Sequence, residues 1–202
     1  MVGRSRKVEP QQIIDAAAVV FAQKGFFKTI MTDIAVEAGI GKGTLYEYFR
    51  SKDDLFFAVF ERFMDKVGQS AIECSRSVEK SATVRLSDIS DAVIGSWPEL
   101  RPIYSLTLEF WAAAASSRHR ERFKEAFKEG YRQYRGLLAE VLRDGIDAGE
   151  FRSDMDVESV AAVLVGAWDA LLLQAWFDDG FDPVGSGRAF LDVLLKGLQV
   201  SG

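Results

Sequence analysis

Apolar side chains recur at intervals of three and four along almost the whole chain, and no sustained alternation bounded by hairpin turns interrupts them, so the pattern predicts an all-α fold. The first helix is expected over Pro10–Lys24, with proline tolerated in the first turn, Ile14, Ala17 and Phe21 on one face, and Gly25 as the stop. Two short patterns follow, Thr32 to Ala38 closed by Gly39, and Lys42 to Tyr48. Ser51-Lys52-Asp53-Asp54 has the spacing of a capping box and opens a long helix whose apolar face carries Leu55, Phe56, Val59, Phe63 and Val67. The polar stretch 75–85 predicts a break near Ser81, then a helix to Trp97 stopped by Pro98. Pro102 is expected to open the next helix, which carries Tyr104, Leu108, Trp111 and alanines 112 to 115. A long charged amphipathic helix from His119 to Asp147 is ended by Gly149, and two final helices, about Val157 to Phe177 and Gly187 to Leu198, flank the turn-rich Asp178 to Ser186.

Charge changes this picture more than composition does. The chain of 202 residues is net −5, which argues against a polyanionic partner until the distribution is read. Up to Lys52 there are eight basic and five acidic side chains, net +3, which leaves 17 basic and 25 acidic side chains, net −8, for the rest. A basic amino-terminal segment joined to an acidic body predicts that one end alone meets a polyanion. A single cysteine, Cys74, and a single histidine, His119, exclude a disulfide framework and leave too few soft ligands for structural zinc, so neither metal nor cofactor is expected. No apolar segment of a secretion signal follows the basic start, and Ala161 to Phe177 is broken by Asp169 and Gln174, which reads as a buried helix rather than a membrane span. A cytoplasmic protein is expected.

The two short helices have the mechanical requirements of a helix-turn-helix. Ala35 supplies the small residue where the helices cross, Gly39 allows a sharp turn with positive φ, and Leu45 packs inward against Ile34 and the first helix. The run TIMTDIAVEAGIGKGTLYEYFRSKDDL, Thr29 to Leu55, with Ile14-Asp15-Ala16-Ala17, Phe21 and Gly25-Phe26 before it, resembles the DNA-binding segment of the TetR family of bacterial transcription regulators. The resemblance covers about the first quarter of the chain; beyond Leu55 it extends to helix order and length. It implies a three-helix DNA-binding domain over 1–54, an effector-binding and dimerisation domain over 55–202, about nine helices in all, and a homodimer reading a partly palindromic operator in double-stranded DNA.

On that footing the DNA contacts are expected from Lys42, the Gly43 amide and Thr44 at the start of the recognition helix, where the helix dipole favours phosphate, and from Tyr46 and Tyr48. Lys52 is placed for a further phosphate, Thr29 and Thr32 contribute from the second helix, and Arg4, Arg6 and Lys7 reach a neighbouring groove or backbone. Two positions depart from the family: Ile30 and Gly41 stand where small hydroxyl residues are usual, so a cap or phosphate contact is missing, although glycine is a tolerable N-cap.

The acidic body carries an unusual aromatic load. The resemblance implies a small-molecule pocket enclosed by the middle helices, with Phe63, Trp97, Tyr104, Leu108, Trp111, Tyr131, Trp168 and Leu172 as its lining and Glu109 and Asp169 as polar points, suited to an apolar or aromatic effector. Small residues Ala162 and Gly166 beside Leu173, Trp176, Phe190, Leu191 and Leu194 predict a dimer seam built by the last two helices of each chain. The reading is a repressor released from its operator by the effector. A co-repressed or activating regulator uses the same parts, and a helical adaptor without DNA binding is the remaining alternative. An enzyme is not expected, since no acid, base and nucleophile form a recognisable set. Gly39 to Thr44 lacks the spacing of a phosphate loop, Asp154 to Glu158 lacks the glycine and distant acid of a calcium loop and reads as a helix cap, His119 reads as a solvated residue at a helix start, and Cys74 as inert.

Overall fold

The computed structural model describes residues 8–199, the Val67 side chain apart. Arg4, Arg6, Lys7 and the apolar contact expected of Val67 lie outside the described residues. The chain is helical in the order α1 (Pro10–Lys24), α2 (Met31–Glu37), α3 (Lys42–Tyr48), α4 (Lys52–Ser75), α5 (Ala82–Gly95), α6 (Trp97–Leu100), a 3-10 turn (Arg101–Ile103), α7 (Ser105–Ser116), α8 (Arg120–Asp147), α9 (Val157–Phe177) and α10 (Pro183–Leu198). A single isolated bridge, Phe151 to Gln199, is the only extended pairing among the described residues.

Most helix limits follow the sequence pattern, and three do not. Pro98 does not stop a helix: α5 ends at Gly95, and Pro98 sits in the first turn of α6, where a missing N–H has no partner to lose. Pro102 lies in the 3-10 connector, and α7 starts three residues later at Ser105. Helix α10 begins at Pro183 rather than Gly187, because the Asp182 carboxylate accepts the N–H groups of Val184 at 3.1 Å and Gly185 at 3.0 Å. The Ser51 to Asp54 cap forms as expected, with Asp54 N–H donating to Ser51 Oγ at 3.1 Å, and Asp156 caps α9 through Ser159 N–H at 3.2 Å.

The chain divides into two compact units, residues 1–64 with 102–124, and 65–101 with 125–202. The boundary expected at residue 54 follows the sequence motif, whereas packing carries the first unit past it. In that unit α1, the first part of α4, α7 and the start of α8 meet in a phenylalanine cluster. Phe56 meets Phe21 edge-on at 5.1 Å between ring centroids, Phe26 at 4.6 Å and Phe110 at 4.9 Å, and Phe60 meets Phe123 at 5.5 Å. Phe21, Phe60 and Phe110 are fully buried; each such ring contributes about 1.5–3 kcal/mol on removal from water. A helix-turn-helix of two seven-residue helices cannot close a core alone, and α4 and α7 supply the missing wall.

In the second unit α10 packs on α5 and α9 around Leu86, Ile89, Leu138, Leu142, Leu164, Trp168 and Leu195. Gly187 lets α10 approach α5 so closely that a Cβ there would overlap the Ile94 side chain, and Gly145 makes the same room for the Phe151 ring. Glu150 closes the amino terminus of α5, accepting Ala82 N–H at 2.9 Å and Thr83 N–H at 3.1 Å.

Helix α9 departs from the expectation of a buried helix. It is long and apolar enough by length and composition to cross a membrane, yet 33% of that stretch is buried within the chain. Ala161, Leu164, Val165, Trp168, Leu172 and Ala175 face the core, while Ala162, Val163, Gly166, Ala170 and Phe177 are exposed. Twenty-one residues of mostly apolar side chain cover more than one core-facing stripe, and one chain supplies a partner for one stripe only.

Candidate nucleic-acid interface and effector region

The geometry of α2 and α3 follows from three small choices in the sequence. Ala35 is buried at the crossing, Gly39 takes φ of 65°, and Ile40 N–H returns to the Ala35 carbonyl at 2.9 Å, closing the turn. Leu45 and Ile34 are fully buried against α1, which fixes the roll of α3 and points its other side outward. Ile30, where a hydroxyl cap is absent, is compensated from the far end of the same turn: the Asp33 carboxylate accepts Ile30 N–H at 3.2 Å and pairs with Lys24 at 3.0 Å, which holds it below the usual carboxylate range.

Lys42, Gly43, Tyr46 and Thr32 are exposed, and Lys42 Nζ lies 5.9 Å from the Tyr46 ring centre, so ammonium and phenol share one edge of α3. Thr44 is half-buried at the start of the same helix. All five are at least partly accessible, as a contact with DNA requires. Three other expected DNA contacts are occupied elsewhere. Thr29 is fully buried and its hydroxyl donates to the Gly25 carbonyl at 2.8 Å, closing the α1–α2 turn. Tyr48 is exposed, but its hydroxyl proton is spent on the Val8 carbonyl at 2.8 Å, tying the amino-terminal segment to α3. Lys52 turns inward: its ammonium donates to the carbonyls of Phe26 at 2.7 Å, Thr29 at 2.9 Å and Phe27 at 3.4 Å, and lies 4.4 Å from the centre of the Phe26 ring. A charge whose three donors are satisfied by its own chain cannot also hold a phosphate without breaking that turn.

The ten residues expected to line one effector pocket fall half in each unit. Phe63, Tyr104, Leu108, Glu109 and Trp111 belong to the first, and Trp97, Tyr131, Trp168, Asp169 and Leu172 to the second. In the first unit Phe63 packs on Phe110 at 6.0 Å, Tyr104 is buried, and Leu108 and Trp111 are half-buried. The Glu109 carboxylate accepts the main-chain N–H of Phe26 at 2.9 Å, and burial raises its pKa above the ordinary value despite that bond and nearby Lys52. In the second unit Tyr131 donates to Asp169 at 2.6 Å, Trp168 Nε1 donates to Ser90 at 3.2 Å in the core, and Trp97 and Leu172 are buried. Burial pushes the Asp169 carboxyl up, against the Tyr131 hydrogen bond, and pushes the Tyr134 phenol, with the Asp65 and Asp169 charges, up to about 12. Sequence reasoning missed Tyr134, whose hydroxyl lies against the Cα of Gly68; a glycine inside the apolar pattern of α4 was the available signal.

Of the seven residues expected at a dimer seam, Ala162, Gly166 and Phe190 are exposed, and Leu173, Trp176 and Leu194 half-buried. Leu191 is buried within its own chain, on the face of α10 that meets the core, and is corrected from seam to core. Val163, Phe177 and Val193, respectively 64%, 74% and 70% exposed, extend the apolar face instead. His119 lies at a helix start as expected, partly exposed, with Nε2 3.6 Å from Asp53, and burial pushes the Cys74 thiol up, away from reactivity.

Comparison with known proteins agrees with this geometry. A family model described as bacterial regulatory proteins, tetR family, matches residues 13–59, and one described as the BetI-type transcriptional repressor, C-terminal, matches residues 82–199. The HTH-type transcriptional repressor KstR2 of Rhodococcus jostii (strain RHA1) is 30% identical over 194 residues, 93% of this chain and 89% of that protein. The fatty acid metabolism regulator protein of Bacillus subtilis (strain 168) is 25% identical over 200 residues, 97% of this chain and 98% of that protein. The crystal structure of a TetR transcription regulator from Haloarcula marismortui ATCC 43049 superposes with a TM-score of 0.82 at 22% identity, covering 94% of this chain and 97% of that one, which shows the common fold.

Proposed function

The chain belongs to the tetR family of bacterial regulatory proteins and is a DNA-binding transcriptional repressor; we propose that it acts in the cytoplasm as a homodimer which a small, largely apolar effector releases from its operator. The observation that carries the reading is the outward edge of α3, where Lys42, Gly43 and Tyr46 stand exposed on a helix fixed from behind by Leu45. Exposed Thr32 on α2 and half-buried Thr44 complete the contact set. Two such edges must lie about 34–36 Å apart to enter successive major grooves on one face of DNA, so an effector that prefers another spacing lowers operator affinity.

The apolar face Ala162, Val163, Gly166, Phe177, Phe190 and Val193 supports the homodimer. Small residues on α9 allow close approach and large ones fill the seam, giving a four-helix bundle from two chains. The effector site proposed is in the second unit, around the Tyr131 and Asp169 pair, whose aromatic surroundings suit an apolar body and whose carboxyl offers one polar point. The name of the Bacillus relative, a regulator of fatty acid metabolism, agrees with an apolar effector.

The test is a titration of the full chain against duplexes from upstream of its own coding sequence at two salt concentrations, beside a Lys42→Ala, Tyr46→Ala double variant. Specific binding that salt weakens and the variant loses supports the reading. A folded dimer with no preference for any segment sinks it.

A further inference from the structure

The first unit contains a cavity of about 540 Å³ that the repressor mechanism does not use, within the range of small-molecule sites, about 300–1,000 Å³. Its walls are the rings of Phe26, Phe56 and Phe123, and Ala112 and Ala113 on α7 leave the space open where larger side chains would fill it. Phe27 stands at its rim 91% exposed, a large apolar group with nothing over it. The charged groups at the edge are Lys52, Asp53, Glu109 and Arg118, which sum to zero, so selectivity rests on which of them has capacity left.

The hydrogen bonds answer that. Lys52 spends its three donors on three main-chain carbonyls, and Arg118, paired with Asp53 through Nη2, is 71% exposed, so water screens its remaining N–H groups. Glu109 is different: Oε2 accepts Phe26 N–H at 2.9 Å, whereas Oε1 accepts no hydrogen bond among the described residues. A half-buried carboxylate oxygen beside aromatic rings favours a cation, through direct pairing and through attraction to the ring faces.

We propose that this cavity is a second small-molecule site, distinct from the effector region of the other unit, which takes an aromatic or alicyclic body bearing a protonated amine, with the ammonium on Glu109 Oε1. The site acts directly on the DNA-binding head. Glu109 holds the N–H of Phe26 while Lys52 holds its carbonyl, and this residue lies in the turn that joins α1 to α2. A cation on Glu109 weakens its hold on that N–H and loosens the turn. The effect on operator affinity rests on the DNA-binding reading above; binding itself does not.

The probe is 2-(1-naphthyl)ethylamine, with 1-naphthylacetic acid as a similarly shaped anion, titrated calorimetrically into the full chain without DNA and followed at the Phe26 amide by NMR. The expected result is saturable binding of the amine, no binding of the acid, a shift of the Phe26 amide, and at least tenfold weaker amine binding in Glu109→Gln and in Ala113→Phe, which fills the cavity while keeping the carboxylate. Circular dichroism establishes that each variant is folded; if Glu109→Gln is not, Ala113→Phe alone decides. Amine binding unaffected by Ala113→Phe, equal binding of the acid, or no saturable binding overturns the proposal, and none of these outcomes bears on whether the chain binds an operator.

Discussion

The Glu109 carboxylate on α7 accepts the main-chain N–H of Phe26 at 2.9 Å across 83 positions of sequence, and so fastens the turn between α1 and α2 to a helix that lies outside the DNA-binding motif. Lys52 completes the fastening from α4 by taking the carbonyls of Phe26, Phe27 and Thr29. Within the turn the Thr29 hydroxyl donates to the Gly25 carbonyl at 2.8 Å and the Phe26 ring packs on Phe56, while Phe27 is exposed. Two long side chains of opposite charge add to this by holding the N–H and the carbonyls of the turn. Replacing Glu109 by Ala leaves a part-buried N–H without an acceptor and is expected to cost about 1–2 kcal/mol in urea unfolding, whereas Glu109→Gln keeps an acceptor and costs less. Equal destabilisation by both variants would show that the charge, not the hydrogen bond, matters.

The inward turn of Lys52 separates it from Lys42 in a way salt dependence can read. Each phosphate contact removed lowers the slope of log K against log salt by about 0.9, so Lys42→Ala is expected to reduce the slope by about 1.8 for two protomers on one operator. Lys52→Ala is expected to weaken binding by disturbing the turn while leaving the slope unchanged. A slope loss in Lys52→Ala equal to that of Lys42→Ala would put the ammonium on phosphate after all.

The seam on α9 and α10 predicts opposite outcomes for neighbouring residues. Val163→Lys and Val193→Glu place charge on an exposed apolar face, and sedimentation is expected to show monomers with near-normal helicity. Leu191→Ala is expected to leave assembly intact and cost about 2–5 kcal/mol of stability, because Leu191 fills the core of its own chain. A dimer that survives both charged substitutions removes this face from the interface.

Burial raises the carboxyl of Asp169 above its ordinary value of 3.8, so the folded chain binds a proton there more tightly than the unfolded chain does. The stabilisation from that proton is full below the unfolded value and is lost as pH rises through the raised folded value. Asp169→Asn keeps an acceptor for Tyr131 and does not titrate. The melting temperature of the wild type relative to Asp169→Asn is therefore expected to fall as pH rises above the unfolded carboxyl value of 3.8. A difference independent of pH would mean that Asp169 is not desolvated.

The helices and the DNA-binding motif were legible because their determinants are local. Helical spacing, proline in a first turn, glycine after a last one, and the ordered positions from Asp33 to Lys52 act within a few residues of one another, and the structure places α1, α3 and α9 on the expected limits. The exposure of Lys42 and Tyr46 follows as well, since Leu45 on the opposite side of a short helix has one place to go. Asp182-Pro183 was an equally local signal for the start of α10, obscured by the turn-forming residues around it.

What each side chain does when two are free to do the same thing was decided by tertiary structure. Lys42 and Lys52 are alike in sequence, each at the start of a helix, yet one meets water and the other three carbonyls of a turn more than twenty residues earlier. Glu109 and Asp169 are alike as acids within apolar helices, yet one fastens a turn and the other meets a tyrosine. Phe190 and Leu191 are adjacent large apolar residues on α10, and the roll of that helix against α5 and α9 sends one outward and the other into the core. Sequence fixes polarity and period, which place a residue on a helix and a face; the partner it meets is set by helices brought together from far along the chain, and the free energy of that meeting depends on distances no local pattern contains.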